Sequence, residues 1–304
     1  MIGKLLPTIQ SRLNAHNSCS DYLPNDESMT MDTDQVEAYK KQIADLYSRR
    51  SQTYDSNEWH DRIARKLVDY AHITAGSQVL DIATGTGMVA FHAASQAGPQ
   101  GTVTGIDISA GMIGKARAKL AAAGLSNIRF ELGDGESLGF VPHSFDYIFC
   151  GSAFIWMTDL HAALVHWRTR LGENGKVGFH AFSENAFVTG VVAQSVLSKY
   201  GVSYLMSKPT GSVEKCQKLL EQAGFRNICV HVNRDGSYIS LEEAKNSWVS
   251  AGHPAPGQFP HPLASMSTEQ LSGAQTDFEH AIEELNTQQG IWNDMTTFYV
   301  FGEK

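Results

Sequence analysis

Apolar positions along this chain change period twice. Val36, Tyr39, Ile43 and Leu46 fall three or four residues apart, and so do Trp59, Ile63, Leu67 and Tyr70. That spacing puts each set on one face of a helix. The segment between them, Tyr47 to Asp55, is polar but carries two tyrosines, Tyr47 and Tyr54. Ahead of both helices, residues 1–33 end in a stretch from Asn17 to Thr33 rich in Ser, Asp, Asn and Thr. Such a composition cannot bury itself and predicts a flexible lead-in.

From residue 77 short apolar runs alternate with amphipathic stretches. The runs predict strands at Val79–Ile82, Thr102–Ile106, Ile128–Leu132, Phe145–Cys150 and Lys176–Phe182. Met88–Ala97 reads as a helix closed by Gly98-Pro99. Ser109 is placed to cap a second helix, with Met112, Ile113, Ala116 and Leu120 as its apolar face and Gly124 as its stop. A third has the stripe Leu160, Ala163, Leu164, Trp167 and Leu171 ahead of Gly172. Strands alternating with helices of this length make βαβ units, hence a parallel sheet covered on both faces.

The rhythm breaks after residue 182. A helix with loops occupies 183–209, then Val213–Ala223 forms a helix that Gly224 ends, and strands follow at Asn227–Val232 and Thr296–Phe301. Between those strands lie helices near Leu241–Val249 and Glu269–Glu284, separated by His253–Pro262 with its four prolines. A connection this long inside a compact fold reads as a lid or cap. The expected fold is therefore α/β: a doubly wound sheet of seven strands, the last antiparallel. A helical cover over 34–76 precedes an α/β domain of 77–240 and 291–304, and a helical cap of 241–290 is inserted into it.

Composition narrows the class. With 304 residues, 42% of them apolar, the chain is neither disordered nor fibrous. Its 24 basic residues against 32 acidic ones give a formal charge of −8. That balance argues against a nucleic-acid partner, which calls for a basic patch. No run approaches the roughly 18 apolar residues of a membrane-spanning helix. Cys19, Cys150, Cys216 and Cys229 share no CxxC or CxxH spacing, so neither a disulfide framework nor a zinc site is expected. The opening Met1–Pro7 carries too little charge and too short an apolar core for a secretory signal, which predicts a cytoplasmic protein.

The chemistry concentrates where strands end. Val79-Leu-Asp81-Ile-Ala83-Thr84-Gly85-Thr86-Gly87 is a strand that carries a carboxylate and runs into Gly-x-Gly at a helix start. The glycines let backbone approach a ligand closely, and the helix offers free N–H groups. Asp107, twenty residues after Gly87, ends the second strand, where a carboxylate can accept both ribose hydroxyls of a nucleoside. Asp134 follows the third strand in Leu132-Gly133-Asp134-Gly135-Glu136. Three carboxylates at consecutive strand ends repel a pyrophosphate and suit a cationic nucleoside with an amino group, such as S-adenosylmethionine. Gly85-x-Gly87-x-x-Ala90 also fits a degenerate dinucleotide fingerprint, a dehydrogenase reading that Asp81 and Asp134 oppose.

On these residues the sequence resembles the class I S-adenosylmethionine-dependent methyltransferases, and among them the quinone-biosynthesis and small-molecule branch, over about residues 36 to 182. Ala83 stands where many members have the first glycine of the motif. The resemblance implies that Gly85 and Gly87, with Thr84, flank the methionine moiety and that Asp81 lies near its amino group. It places Asp107 at the ribose hydroxyls, Met112 near the adenine and Asp134 at the adenine amine with Gly135 beside it, and Ile108 and Gly133 are further cofactor-binding candidates. Tyr47 and Tyr54 are similar to aromatics that close over the cofactor, and Cys150-Gly151-Ser152-Ala153-Phe154 to the strand exit facing the transferable methyl.

That exit lacks the Asn/Asp-Pro-Pro-aromatic motif of enzymes that methylate nucleobase or glutamine amides. It also lacks the carboxylate of magnesium-dependent catechol enzymes. Both departures favour a small organic acceptor and no metal. Methyl transfer is mostly alignment in a dry pocket, with a base needed only for a protonated acceptor. His180 is the first candidate base, ahead of His253 and His60. Phe154, Trp156, Phe182, Trp248 and Phe259 are candidates to line an apolar acceptor site that the cap completes. The expected function is methylation of O, N or C of a hydrophobic small molecule, a secondary metabolite or quinone-like ring, by a monomer or homodimer. The alternatives are a protein that uses the cofactor as scaffold for cyclisation or another non-methyl reaction, and a pure binding or regulatory protein.

Overall fold

The computed structural model describes residues 32–56, 58–202, 208–248, 263 and 266–304. Helices α1 (Thr33–Arg50) and α2 (Trp59–Ala71) carry the two predicted stripes. α1 buries Tyr39 and Ile43, and α2 buries Ile63, Leu67 and Val68. The α/β part runs β1 (Gln78–Ile82), α3 (Met88–Ala97), β2 (Thr102–Asp107), α4 (Ala110–Ala123), β3 (Ile128–Leu132), β4 (Phe145–Cys150), α5 (Leu160–Arg170) and β5 (Leu171–Phe182). Then come α6 (Val188–Lys199), α7 (Val213–Gln222), β6 (Arg226–Asn233), β7 (Gly236–Ile239), α8 (Leu241–Asn246), α9 (Thr268–Leu285), β8 (Ile291–Asp294) and β9 (Thr297–Glu303).

Seven strands form one sheet in the order β3-β2-β1-β4-β5-β9-β6. β1 to β5 pair in parallel, and β9 runs antiparallel between β5 and β6. The chain winds from β1 outward to β3, then returns to place β4 on the other side of β1. The carboxyl ends of β1 and β4 therefore flank the switch point, where open α/β sheets bind ligands. Alternation along β1 sends Leu80 into a core with Ile148, Trp167 and Phe179, and Val79 into another with Leu67, Ala90 and Phe149. Both faces of the sheet are covered, as parallel strands require.

The sequence signals at element ends match the structure at several points. Ser109 Oγ accepts the Met112 N–H and Gly124 closes α4 at φ +64°. Two features depart from the sequence reading. Leu171 belongs to β5 rather than to the helix before it: it pairs with Phe145, and the register then slips so that Lys176 meets Tyr147. A separate ribbon of β7 and β8 joins residues more than fifty positions apart, with Tyr238 opposite Trp292. Four-residue strands with such distant partners leave little periodic trace. Beside the ribbon, α6, α8 and α9 share a core of Val192, Val196, Trp248, Phe278 and Ile282.

One buried side chain links this framework to the strand tips. Trp167 of α5, wholly buried, donates its Nε1–H to the carbonyl of Gly135 at 2.7 Å. Gly135 packs so closely on Ile82 that a Cβ would lie 2.5 Å from Ile82 Cγ2. Trp167→Phe leaves that carbonyl without its donor and opens a void. It is expected to lower unfolding free energy by about 2–4 kcal/mol in urea titrations.

Candidate functional site

Asp81, in β1, is wholly buried. One of its oxygens, Oδ2, accepts the Thr84 Oγ1–H at 2.5 Å and the Ala90 N–H at 3.1 Å. The other, Oδ1, is buried with no partner among the described residues. Burial pushes this carboxyl up to about 7, against the pull of those two hydrogen bonds. The following turn is left-handed at three positions: Ala83 (φ +52°), Gly85 (φ +58°) and Gly87 (φ +91°). At Gly87 a Cβ would lie 2.7 Å from the Phe130 ring, so no other residue fits. Ala83 holds the same backbone region with a side chain.

At the tip of β2, Asp107 accepts the Gly85 N–H at 2.9 Å and the Ser109 N–H at 2.8 Å, one on each oxygen. Burial raises its pKa as well, opposed by those bonds. Beyond β3, Asp134 Oδ1 accepts the Glu136 N–H, while Oδ2 pairs with Lys40 Nζ at 2.7 Å. Lys40 also reaches Glu136 Oε2 at 3.0 Å. α1 thus supplies a cation that compensates the third of the strand-end carboxylates.

These tips and α1 border a cleft. Several contacts strap the N-terminal segment across it. Tyr39 donates to the Trp156 carbonyl at 3.2 Å, Ser48 Oγ meets Ser109 Oγ at 2.8 Å, and Asp55 accepts the Thr86 hydroxyl at 2.6 Å and the Lys119 ammonium at 3.0 Å. A smaller cavity shares Tyr54, Ala83, Gly85, Gly151 and Ser152 with the cleft and is bordered by Asp81 and His60. Ser152, left-handed at φ +56°, sits at the exit of β4 with its Oγ 3.0 Å from His180 Nδ1.

The predicted residues sort as follows. Tyr47, Ala83, Gly85, Asp107, Ile108 and Met112 line the main cleft. So do Gly133, Asp134, Gly135, Gly151, Tyr54 and Trp156. Asp81 and Thr84 border the smaller cavity. Gly87 stands apart as the N-cap of α3, and Cys150 is buried in the core beneath the tip of β4. Phe154 is corrected to a core residue, packed on Trp167 and Phe179. Trp248 is likewise core, against Phe278. Aromatic spacing shows an apolar face without showing which space it fills. Phe182 stacks on Trp59 at 5.4 Å and borders neither cavity described. His180 is buried behind Ser152, its imidazole pushed down to about 3 by desolvation. Phe259 and His253 lie outside the described residues. Lys40 and Glu136 are cleft residues that the sequence reading did not assign to the site. For Lys40 a signal existed: Lys40, Ile43 and Tyr47 fall at i, i+3 and i+7 on one helix face.

Comparison with known proteins places this geometry. Residues 79–175 match the family model of a methyltransferase domain. Aklanonic acid methyltransferase DauC of Streptomyces sp. (strain C5) is 37% identical over 147 residues, which are 48% of this chain and 67% of that protein. The chain belongs to the S-adenosylmethionine-dependent methyltransferases. Demethylmenaquinone methyltransferase of Symbiobacterium thermophilum is 34% identical over 112 residues, covering 36% of this chain and 44% of that protein. The YcgJ protein of Bacillus subtilis shares the fold, with a TM-score of 0.53 at 19% identity over 80% of this chain and 98% of its own. No helix among the described residues of the methyltransferase is long and apolar enough to cross a membrane.

The site's donor set fits S-adenosylmethionine. A buried carboxyl oxygen without a partner, Asp81 Oδ1, suits a cationic group, and each Asp107 oxygen keeps a lone pair for a hydroxyl.

Two outcomes follow from this geometry. Left-handed backbone costs a residue with a Cβ about 1 kcal/mol. Ala83→Gly is therefore expected to leave the melting temperature unchanged or slightly raised, and Ala83→Val to lower stability by about 2 kcal/mol or more. Asp81 has a raised folded-state pKa, so its stabilising contribution is full below about pH 4 and lost as pH climbs through about 7. The stability of Asp81→Asn relative to wild type should therefore rise by about 2–3 kcal/mol between pH 5 and pH 8, measured as denaturant midpoints.

Proposed function

We propose that the enzyme transfers a methyl group to an oxygen, nitrogen or carbon of a hydrophobic small molecule, a secondary metabolite or quinone-like ring, without a metal. The observation that carries this reading is the wall where the cleft meets β4. It consists of Gly151, Ser152 and Ala153 with the rings of Tyr47 and Trp156, 6.2 Å apart and edge to face. That stretch is aromatic and offers none of the carboxylates that hold magnesium. The names of the relatives, which act on aklanonic acid and demethylmenaquinone, support a ring-bearing acceptor.

In this reading Asp107 accepts the ribose hydroxyls, Met112 and the Gly133–Gly135 turn border the adenine, and Asp81 Oδ1 takes the ammonium. When bound, S-adenosylmethionine supplies an electrophilic methyl group together with its own leaving group. The chain supplies alignment and dryness, which for such a transfer are the larger part of catalysis. Tyr47 and Tyr54, stacked edge to face at 6.3 Å and flanked by Arg50, close the cleft from the α1 side. Trp156 closes it from the β4 side. His180, with its basicity so reduced, carries no positive charge at neutral pH; as a neutral imidazole it fixes the Ser152 hydroxyl at the cleft wall. His180 is thus a positioning residue, and the acceptor enters as an anion or gives its proton to water.

The decisive experiment incubates the protein with S-adenosylmethionine and a panel of phenolic, quinol and carboxylic-acid ring compounds. S-adenosylhomocysteine should appear in one-to-one ratio with methylated product. Conversion of an acceptor without S-adenosylhomocysteine would instead establish the scaffold chemistry. Trp156→Ala is expected to raise KM for the acceptor about tenfold, in line with loss of one buried aromatic contact.

A further inference from the structure

The smaller cavity has two buried polar atoms on its border that lack partners among the described residues, Asp81 Oδ1 and His60 Nδ1. Unpaired buried polar atoms are uncommon in folded proteins, and two on residues that border one cavity point to a ligand that carries both a donor and an acceptor. The same border includes the first residues of α3. Gly87 has no side chain to cap that helix; the Ala90 N–H is taken by Asp81 and the Phe91 N–H by the Gly87 carbonyl. The N–H groups of Met88 and Val89, both at the cavity, complete the first turn.

We infer that His60 is a cofactor-binding residue, donating Nδ1–H to the carboxylate at the amino-acid end of the cofactor while Asp81 takes the ammonium beside it. The inference rests on the cofactor placement proposed above and adds to it the residue that reads the carboxylate. The cavity's charge pattern demands such a donor. No Lys or Arg among the described residues borders it, so an anion there depends on neutral N–H groups and the positive end of α3. Two rings hold the imidazole: Tyr54 stacks on it at 4.4 Å, and Trp59 meets it edge to face at 4.9 Å. Burial, then the Arg50 charge, keep it less basic than usual, against Asp55. A neutral ring remains a hydrogen-bond donor and does not form an ion pair with Asp81 that would fill the cavity. This role separates His60 from proton removal at the acceptor.

Calorimetry on the full chain tests the assignment with two ligands, S-adenosylhomocysteine and 5′-methylthioadenosine, the second having the nucleoside and sulfur but no amino-acid group. His60→Phe keeps the stack and removes the donor. It is expected to weaken S-adenosylhomocysteine about tenfold or more and 5′-methylthioadenosine less than twofold. His60→Asn, which can place an amide N–H where Nδ1 stood, should stay within about threefold of wild type for both. His60→Leu carries the expectation of His60→Phe should that variant not fold. Unchanged S-adenosylhomocysteine affinity in His60→Phe, or equal loss of both ligands, overturns the assignment. Wild type binding both ligands equally tightly overturns it too, together with the Asp81–ammonium contact, while leaving the nucleoside placement at Asp107 and Met112 standing. Wild type binding neither removes both.

Discussion

Asp81 keeps a carboxyl group wholly out of water in the middle of the sheet, with one oxygen hydrogen-bonded and the other without a partner among the described residues. Burying an ionised carboxylate in this way costs several kcal/mol, so the group gains a proton near neutrality instead. The bonds it does make shape its surroundings. Thr84 Oγ1 and the Ala90 N–H converge on the same oxygen, which draws the turn and the start of α3 toward β1. Thr84 N–H reaches the Ile106 carbonyl and Gly85 N–H reaches Asp107, so the turn is also fastened to β2. A turn fastened at both strands has little choice of backbone angle. The left-handed conformation of Ala83 and Gly87 follows from that constraint, and so does the free oxygen left facing the cavity.

The second organising feature is the way the N-terminal segment compensates charge. A cleft with Asp81, Asp107 and Asp134 all ionised and unpaired would repel itself. The structure avoids this by two routes. Burial shifts Asp81 and Asp107 toward their neutral forms, whereas Lys40 neutralises the Asp134–Glu136 pair directly. Burial alone would lower the Lys40 pKa, but its two carboxylate partners hold it above the usual range. The same lysine fastens α1, together with Tyr39, Ser48 and Asp55. Electrostatic balance and closure of the cleft are therefore properties of one helix.

What the sequence showed, and what it did not, divides along a physical line. Asp81, Asp107 and Asp134 were legible because strand ends and turns are local, and a carboxylate at a strand end is exposed to one environment. Ser109 and Gly124 were legible as caps for the same reason. Phe154 and Trp248 were misread because a buried aromatic looks alike whether it faces a ligand or a neighbouring helix; only the packing on Trp167 and on Phe278 decides. Lys40 with Glu136 was missed because the pair joins residues 96 positions apart. The β7–β8 ribbon was missed for that reason too. His60 was named only as a weak base candidate, because sequence says nothing of an unpaired Nδ1 opposite Asp81.

Backbone strain marks how the rest of the fold reaches this site. Ala83 and Ser152 border both cavities, and Phe187, at φ +62°, belongs to the aromatic group with Trp59 and Phe182 just beyond them. A bulky residue holds that region only where its surroundings over-determine it. At Phe187 the determinants are visible. Its N–H donates to the Asp294 carbonyl at 2.8 Å, and the Val188 N–H to Asn293 Oδ1 at 3.0 Å, so β8 caps α6. α6 in turn shares its core with α8 and α9. Phe187 thus stands between that shared core and the Trp59–Phe182 stack, which adjoins His60 and His180.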